Sequence, residues 1–240
     1  MFNKVHEVKY HELMPNGILK PTTLMQYLED IAAKNADSLD FGYDAITANN
    51  YGWFLLKYAM EFKNYPQNQY EIKVLTESRG ANKLFAYRDF YILDKNDNEL
   101  GRVCSTWALV DLSTKAMLNP AEVFAGKMSH FEKKETDLKY NKIPAIGEIS
   151  NEKVFEIRFD DIDVNNHVNN ATYILWALET LSADFVQSKK IKNLDINFKK
   201  EIKFGNNVVS QVQINDNQTL HYIKNAATNE DLCSIMISWE

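Results

Sequence analysis

Apolar positions along the chain fall into two rhythms. From about Pro21 to Phe41 they come at helical spacing, with Leu24, Tyr27, Leu28, Ile31, Ala32 and Leu39 on one face. Thr22 and Thr23 can cap this helix, Pro15-Asn16-Gly17 ahead of it is turn chemistry, and Asn49-Asn50-Tyr51-Gly52 behind it makes a return loop. The second rhythm is strand-like: Trp53 to Phe62, Tyr70 to Glu77, Leu84 to Leu93 and Leu100 to Asp111 are rich in aromatic and β-branched residues. Asp94-Lys95-Asn96-Asp97-Asn98 supplies a hairpin turn between the last two.

From Ser113 to about Lys153 the pattern weakens into a charged, proline-containing surface connection. The order of elements then repeats. A strand (Val154 to Phe159) leads through a polar loop (Asp160 to Val168) into a helix (about Asn170 to Val186). Strands follow near Ile191 to Lys200, Val208 to Ile214, Leu220 to Lys224 and Leu232 to Trp239. An offset of 150 places Leu28 on Leu178, Glu29 on Glu179 and Ile31 on Leu181. Two copies at so long a period indicate a duplicated domain rather than a solenoid. The expected class is α+β, with antiparallel sheets each covering one apolar helix.

Composition narrows the function classes. A formal charge of −6 excludes a generally basic nucleic-acid binder. The two cysteines, Cys104 and Cys233, lie in apolar strand-like runs without metal-ligand spacing, so a reducing, cytoplasmic setting is expected and neither a metal nor a cofactor is called for. The start, Met1-Phe2-Asn3-Lys4-Val5, lacks the apolar stretch of a signal peptide, and no apolar run approaches the ~20 residues of a membrane span.

The segment richest in chemistry is Phe159 to Asn170, which crowds acids, amides and His167 into the loop entering the second helix. A helix amino terminus offers N–H groups and partial positive charge to a developing oxyanion. Residue by residue a plainer account exists, in which Asn169 or Asn170 caps the helix and the rest are solvated turn residues. A calcium loop fits Asp161, Asp163 and Asn165, but fails where a glycine and a glutamate are required and Asn166 and Thr172 stand. A nucleophilic pairing of His167 with Cys104 or Cys233 lacks any feature that would lower a thiol pKa.

Asp163-Val164-Asn165-Asn166-His167-Val168-Asn169-Asn170, continuing through Tyr173, Trp176 and Glu179, resembles the D-x-N-x-H-V-N-N signature of the acyl-acyl-carrier-protein thioesterases of plants and bacteria. Trp53, Tyr65-Pro66, Arg88-Asp89 and Ser105-Thr106-Trp107 resemble the first half of the same enzymes. The resemblance covers nearly the whole chain. It implies a double hotdog fold, with an amino-terminal hotdog at 1–115 associated with the acyl pocket, a linker at 116–152 and a catalytic hotdog at 153–240. It implies Asp163, Asn165, His167 and Glu201 as catalytic residues. Plant members generally carry a cysteine directly after that glutamate, and here Ile202 stands there. Hydrolysis must then proceed without that thiol, which makes Glu201 the stronger candidate for the base.

On strand parity alone, Glu201 would be a solvent-facing residue at a strand end, on the face of Asp195, Asn197 and Lys199. The partner implied is acyl carrier protein bearing a fatty acyl chain, small and acidic, with Arg79, Lys83, Arg88 and Lys199 as candidates for steering it. Neither nucleic acid nor membrane insertion is expected, and monomer and homodimer are both compatible. An acyl-coenzyme A hydrolase, a hotdog dehydratase and a non-catalytic acyl-binding protein remain open alternatives.

Overall fold

The computed structural model describes all 240 residues. They divide into two compact units: Met1–Val8, Tyr27–Glu61 and Gln69–Lys139 form the first, and Lys9–Gln26, Phe62–Asn68 and Tyr140–Glu240 the second. No helix is long and apolar enough to cross a membrane.

The first unit is built on β1 (Phe2–Glu7), β2 (Tyr51–Phe62), β3 (Glu71–Ala81), β4 (Ala86–Asp94) and β5 (Glu99–Asp111). Their order is β1-β3-β4-β5-β2, with the two-residue β6 (Met117–Leu118) beside β5. The expected strands are present, three of them longer and β4 one residue shorter; β1 is not marked by the apolar pattern, because Asn3, Lys4 and His6 dilute its apolar content. Helix α1 (Pro21–Ser38) buries Leu28 and Ile31 completely. It starts on Pro21, whose fixed φ suits the first helical position, so Thr22 and Thr23 lie inside the first turn rather than capping it. The short helices α2 (Tyr43–Thr47) and α3 (Pro120–Val123) close over a satellite core of Phe41, Trp53 and Phe124.

The second unit repeats the plan. β7 (Asn151–Glu156), β8 (Ile191–Phe198), β9 (Asn207–Asn215), β10 (Gln218–Asn225) and β11 (Asp231–Trp239) run in the order β7-β9-β10-β11-β8, through antiparallel pairs. Each strand thus has its counterpart in the first set at the same place. The helix differs from expectation: α4 spans Asn170–Leu178 and α5 Ala183–Ser188, instead of one helix to Val186. Thr180 turns its hydroxyl back onto the Ala177 carbonyl at 2.6 Å, and the Ser182 hydroxyl accepts the Phe185 N–H at 3.2 Å. One helix is closed and another capped within three residues.

The duplication is sharpest in the loop ahead of each helix, at an offset of 149 rather than 150. Met14 N–H donates to the Ile18 carbonyl at 2.8 Å, as Asp163 N–H does to that of His167 at 2.8 Å. Gly17 N–H reaches Met14 at 2.9 Å and Asn166 N–H reaches Asp163 at 3.0 Å. Both Gly17 and Asn166 hold positive φ, 76° and 62°. At Gly17 a Cβ would also stand 2.0 Å from Asn68 Oδ1, so a side chain there would have to displace the Asn68 carboxamide as well as adopt the left-handed backbone.

The stretch between the two repeats is anchored along its length. Phe131 stacks on Tyr87, and Ala81 exchanges backbone bonds with Ser129 and Phe131 at 2.9 Å each. Further on, both carboxylate oxygens of Asp195 accept from Asn141, each at 2.9 Å.

Candidate active site

The loop that follows β7 is set by Arg158 and Asp161. Asp161 is buried, and its two oxygens accept the Arg158 backbone N–H at 2.8 Å and both ends of the guanidinium at 3.3 and 2.8 Å. A carboxylate so engaged is not presented to a cation, which closes the calcium reading.

Asp163 then organises the turn. Its Oδ1 accepts the backbone N–H groups of Asn165 at 2.9 Å and His167 at 3.1 Å, and its Oδ2 accepts the Asn165 carboxamide at 3.2 Å. One short acid thereby fixes both the path of the loop and the direction of the Asn165 side chain. Asn169 caps α4, taking the Ala171 N–H at 2.8 Å.

These bonds change the expected source of oxyanion donors. The backbone N–H groups of Asn165 and His167 go to Asp163 Oδ1, and that of Asn166 to the Asp163 carbonyl. Val168 donates to Ile202, Asn169 to Asp161, and Ala171 and Thr172 to Asn169. Most of the backbone donors around the helix start are therefore spent inside the loop. The Asn165 carboxamide is on an exposed residue and keeps a second N–H beyond the one given to Asp163.

Glu201 arrives from the end of β8. Lys199 and Lys200 both donate to the one carbonyl of Leu232, at 2.8 and 3.2 Å, and this doubled bond ends the ladder at Phe198. Glu201 therefore lies beyond the ladder, and it is exposed, as strand parity suggested, while Ile202 is buried. Val168 N–H meets the Ile202 carbonyl at 3.2 Å, which sews the strand end to the catalytic-type loop. Glu201 Oε2 comes to rest 3.2 Å from His167 Nε2. The two side chains are 43 % and 22 % exposed, so water reaches a pair that is otherwise held in place.

Tyr173, one turn into α4, was noted in the sequence only as part of the signature. Its buried hydroxyl interacts with the Ile202 backbone beside Glu201, and burial, with Glu201 and Cys233 nearby, pushes its pKa up. Its place four residues after the capping Asn169, on the buried side of α4, is the signal that could have singled it out.

Neither cysteine suits nucleophilic work: both are buried, and burial pushes the Cys233 thiol up, away from the reactive thiolate. Two of the four steering candidates are corrected. Arg88 is buried on the face of β4 that carries Ala86, Phe90 and Ile92, bonded to Asn35 at 2.7 Å and Thr76 at 3.0 Å. Arg79 is locked between Asp89 and Asp137. Lys83 is exposed, and Lys199 pairs with Asp231 at 2.8 Å.

Residues 1–125 match the acyl-ACP thioesterase N-terminal domain, and residues 143–240 match the acyl-ACP thioesterase C-terminal domain. The chain belongs to the acyl-ACP thioesterase family. Among similar proteins, a chloroplastic acyl-[acyl-carrier-protein] hydrolase of Cuphea viscosissima is 25% identical over 207 residues, covering 81% of this chain and 49% of that protein. The chloroplastic oleoyl-acyl carrier protein thioesterase 1 of Arabidopsis thaliana is 21% identical over 211 residues, with 81% and 58% covered. The chain spans about half the length of the curated relatives it matches. A Lactobacillus plantarum crystal structure described as an oleoyl thioesterase superposes with a TM-score of 0.89 at 26% identity, over 100% of this chain and 95% of that one. An acyl-ACP thioesterase from Bacteroides thetaiotaomicron superposes at 0.87 with 23% identity, over 99% and 97%. The double hotdog expected of the acyl-ACP thioesterase family is the fold observed.

Proposed function

We propose that this chain hydrolyses the thioester of fatty acyl-acyl-carrier-protein, releasing free fatty acid and ending chain elongation, with Glu201 and His167 activating water. The observation that carries the reading is the His167–Glu201 pair, 3.2 Å apart on a loop whose every turn is fixed by hydrogen bonds. A carboxylate and an imidazole at that distance can share one proton, which is what a general base for water requires. Water gives its proton to the pair and its oxygen attacks the thioester carbon. The Asn165 carboxamide, oriented by Asp163, donates to the carbonyl oxygen as it becomes negative. Collapse of the tetrahedral species breaks the carbon–sulfur bond, and the proton held by the pair returns to the thiolate. Water and thioester become acid and thiol, with no covalent enzyme intermediate and no cofactor.

Asn165, His167 and Glu201 are the catalytic residues of this proposal and Asp163 the residue that positions two of them, and the matching strand orders support reading the chain as two repeats. A cytoplasmic location is part of the same reading, supported by two buried cysteines that form no disulfide. The test is free-thiol release by the purified chain from acyl-carrier-protein and acyl-coenzyme A thioesters of matched, graded chain length. Faster turnover of the carrier-bound series upholds the proposal; faster turnover of the coenzyme A series replaces the carrier. Absence of thiol release from both leaves a binding protein.

A further inference from the structure

The loop ahead of each helix is built twice on one backbone, and the two copies differ in chemistry. Lys20 N–H to Glu12 O at 2.9 Å in the first copy matches Asn169 to Asp161 at 2.8 Å in the second. Leu19 N–H to Pro66 O at 2.9 Å matches Val168 to Ile202 at 3.2 Å. By this register Ile18 stands where His167 stands, Tyr65 where Glu201 stands, Pro66 where Ile202 stands and Leu24 where Tyr173 stands. The acid–base pair is present in one copy only.

A second difference goes with the first. Tyr173 and Leu24 each take the fourth position of their helix, and both are buried, at 3% and 1% exposure. All of these residues belong to the second compact unit. A leucine therefore suffices for packing at this position, and the tyrosine adds a hydroxyl. That hydroxyl is hydrogen-bonded to the Ile202 backbone; burial raises the Tyr173 pKa and this bond lowers it, so the bond is one donated by the Ile202 N–H. In the first copy neither end of the bond exists: Leu24 has no hydroxyl and Pro66 has no N–H. The bond is found only in the copy that has a carboxylate to hold.

Ile202 is thus fixed from two sides by one segment of chain. Its carbonyl takes the Val168 N–H, next to His167, and its N–H meets Tyr173, one turn into α4. The Tyr173 ring is set edge-on to Phe198, the last residue of β8, and to Trp176, with centroids 5.7 and 5.4 Å away, which fixes where the hydroxyl sits. Glu201 precedes the pinned residue at a point where the ladder has already ended, so the anchoring of Ile202 decides where the carboxylate starts from. We infer that Tyr173 is a positioning residue: its hydroxyl fixes Ile202 and through it holds the Glu201 carboxylate against His167. It serves Glu201 as Asp163 serves Asn165 and His167. What the held pair does rests on the hydrolase reading; what Tyr173 holds does not.

Thiol release and amide hydrogen exchange test the inference on the parent chain, Tyr173→Phe, Glu201→Gln and the double variant. Tyr173→Phe keeps the ring and removes the oxygen. Its kcat should fall ~10-fold or more, because a misplacement of about 1 Å can cost ~10²-fold, while KM stays within about two-fold of the parent's. In the Glu201→Gln background the same change should cost almost nothing further, since Tyr173 acts through the group already removed. The Ile202 amide, its partner gone, should exchange ~10-fold or more faster. Parent-like kcat in Tyr173→Phe overturns the inference, as does an equal loss in both backgrounds, which would mark lost packing rather than lost position. Unchanged exchange at Ile202 overturns it whether or not the chain hydrolyses. Faster Ile202 exchange in a chain that releases no thiol would uphold the anchor and sink the hydrolase reading, so the two fail separately. Tyr173→Leu, which copies the first repeat, carries the same test should Tyr173→Phe not fold.

Discussion

His167 Nε2 lies 3.2 Å from Glu201 Oε2, and the contact is imposed by the backbone: the next residue on each side, Val168 and Ile202, is joined to the other by an N–H to carbonyl bond of 3.2 Å. The side chains meet because their chains are already stitched. Glu201→Gln retains the shape and the hydrogen bond but cannot take a proton, and His167→Ala removes its partner. Each is expected to lower kcat ~10²–10⁴-fold without loss of fold. The double variant should be little worse than the poorer single one, since the groups act as a unit. Steady-state thiol release decides it, and either single variant working within a few-fold of the parent would remove that residue from the mechanism.

Asp163 touches no reacting atom in this scheme and acts through its neighbours, accepting from Asn165 twice and from His167 once. Asp163→Ala releases the Asn165 carboxamide and two backbone donors on a partly solvated loop, where water replaces the lost acceptor. Stability should therefore fall by only ~1 kcal/mol, while kcat falls at least ~10-fold as the carboxamide loses its direction. Asp163→Asn keeps one acceptor oxygen and should recover part of kcat. Equal activity of the two variants would argue against a positioning role.

Much of this architecture is legible from residue order, because alternation is a local property. Strand β5 was expected at Leu100 to Asp111 and is found at Glu99–Asp111. The features that escaped depend on contacts distant in sequence. The doubled bond from Lys199 and Lys200 to Leu232 ends the ladder before Glu201, and nothing local announces it. The split between α4 and α5 turns on two hydroxyls in a stretch that is otherwise helical in pattern. Arg88 could have been read correctly: it alternates with Ala86, Phe90 and Ile92, so parity already pointed it inward. In sequence the first-copy loop shows turn chemistry alone, since its likeness to the catalytic-type loop lies in hydrogen bonds and in almost none of its side chains.

Arg79 is the hinge of an ion triad with Asp89 and Asp137, their side chains 8%, 19% and 15% exposed. Burial raises the Asp89 pKa despite the guanidinium beside it, whereas the bonds from Arg79 and Lys134 lower that of Asp137. Arg79→Met leaves two carboxylates facing each other without a cation and should cost ~3–5 kcal/mol in urea unfolding. Adding Asp89→Asn to that variant should restore part of the loss. A cost below ~1 kcal/mol would mean that the triad is no stronger than an exposed pair.

His221 gives the second unit a pH signature. It is fully buried in β10, with Nε2 2.9 Å from the Thr219 hydroxyl and Nδ1 3.4 Å from that of Thr180, and burial lowers its pKa from 6.5 to about 3. Between these two values the folded chain holds His221 neutral while the unfolded chain binds a proton there. The unfolded state thus carries more protons, so stability rises with pH across the window. The contribution is complete above pH 6.5 and is lost progressively as pH falls towards about 3. One proton corresponds to at most ~1.4 kcal/mol per pH unit. His221→Gln can still bond the threonines and does not titrate, so its stability should decline less steeply than the parent's between pH 6.5 and 5, where most carboxylates remain ionised. Urea midpoints of both chains across that interval measure the difference, which cancels the titration of the other histidines. Parallel profiles would mean that His221 accepts its proton in the folded state, and that the threonine-lined interior of β10 is open to water.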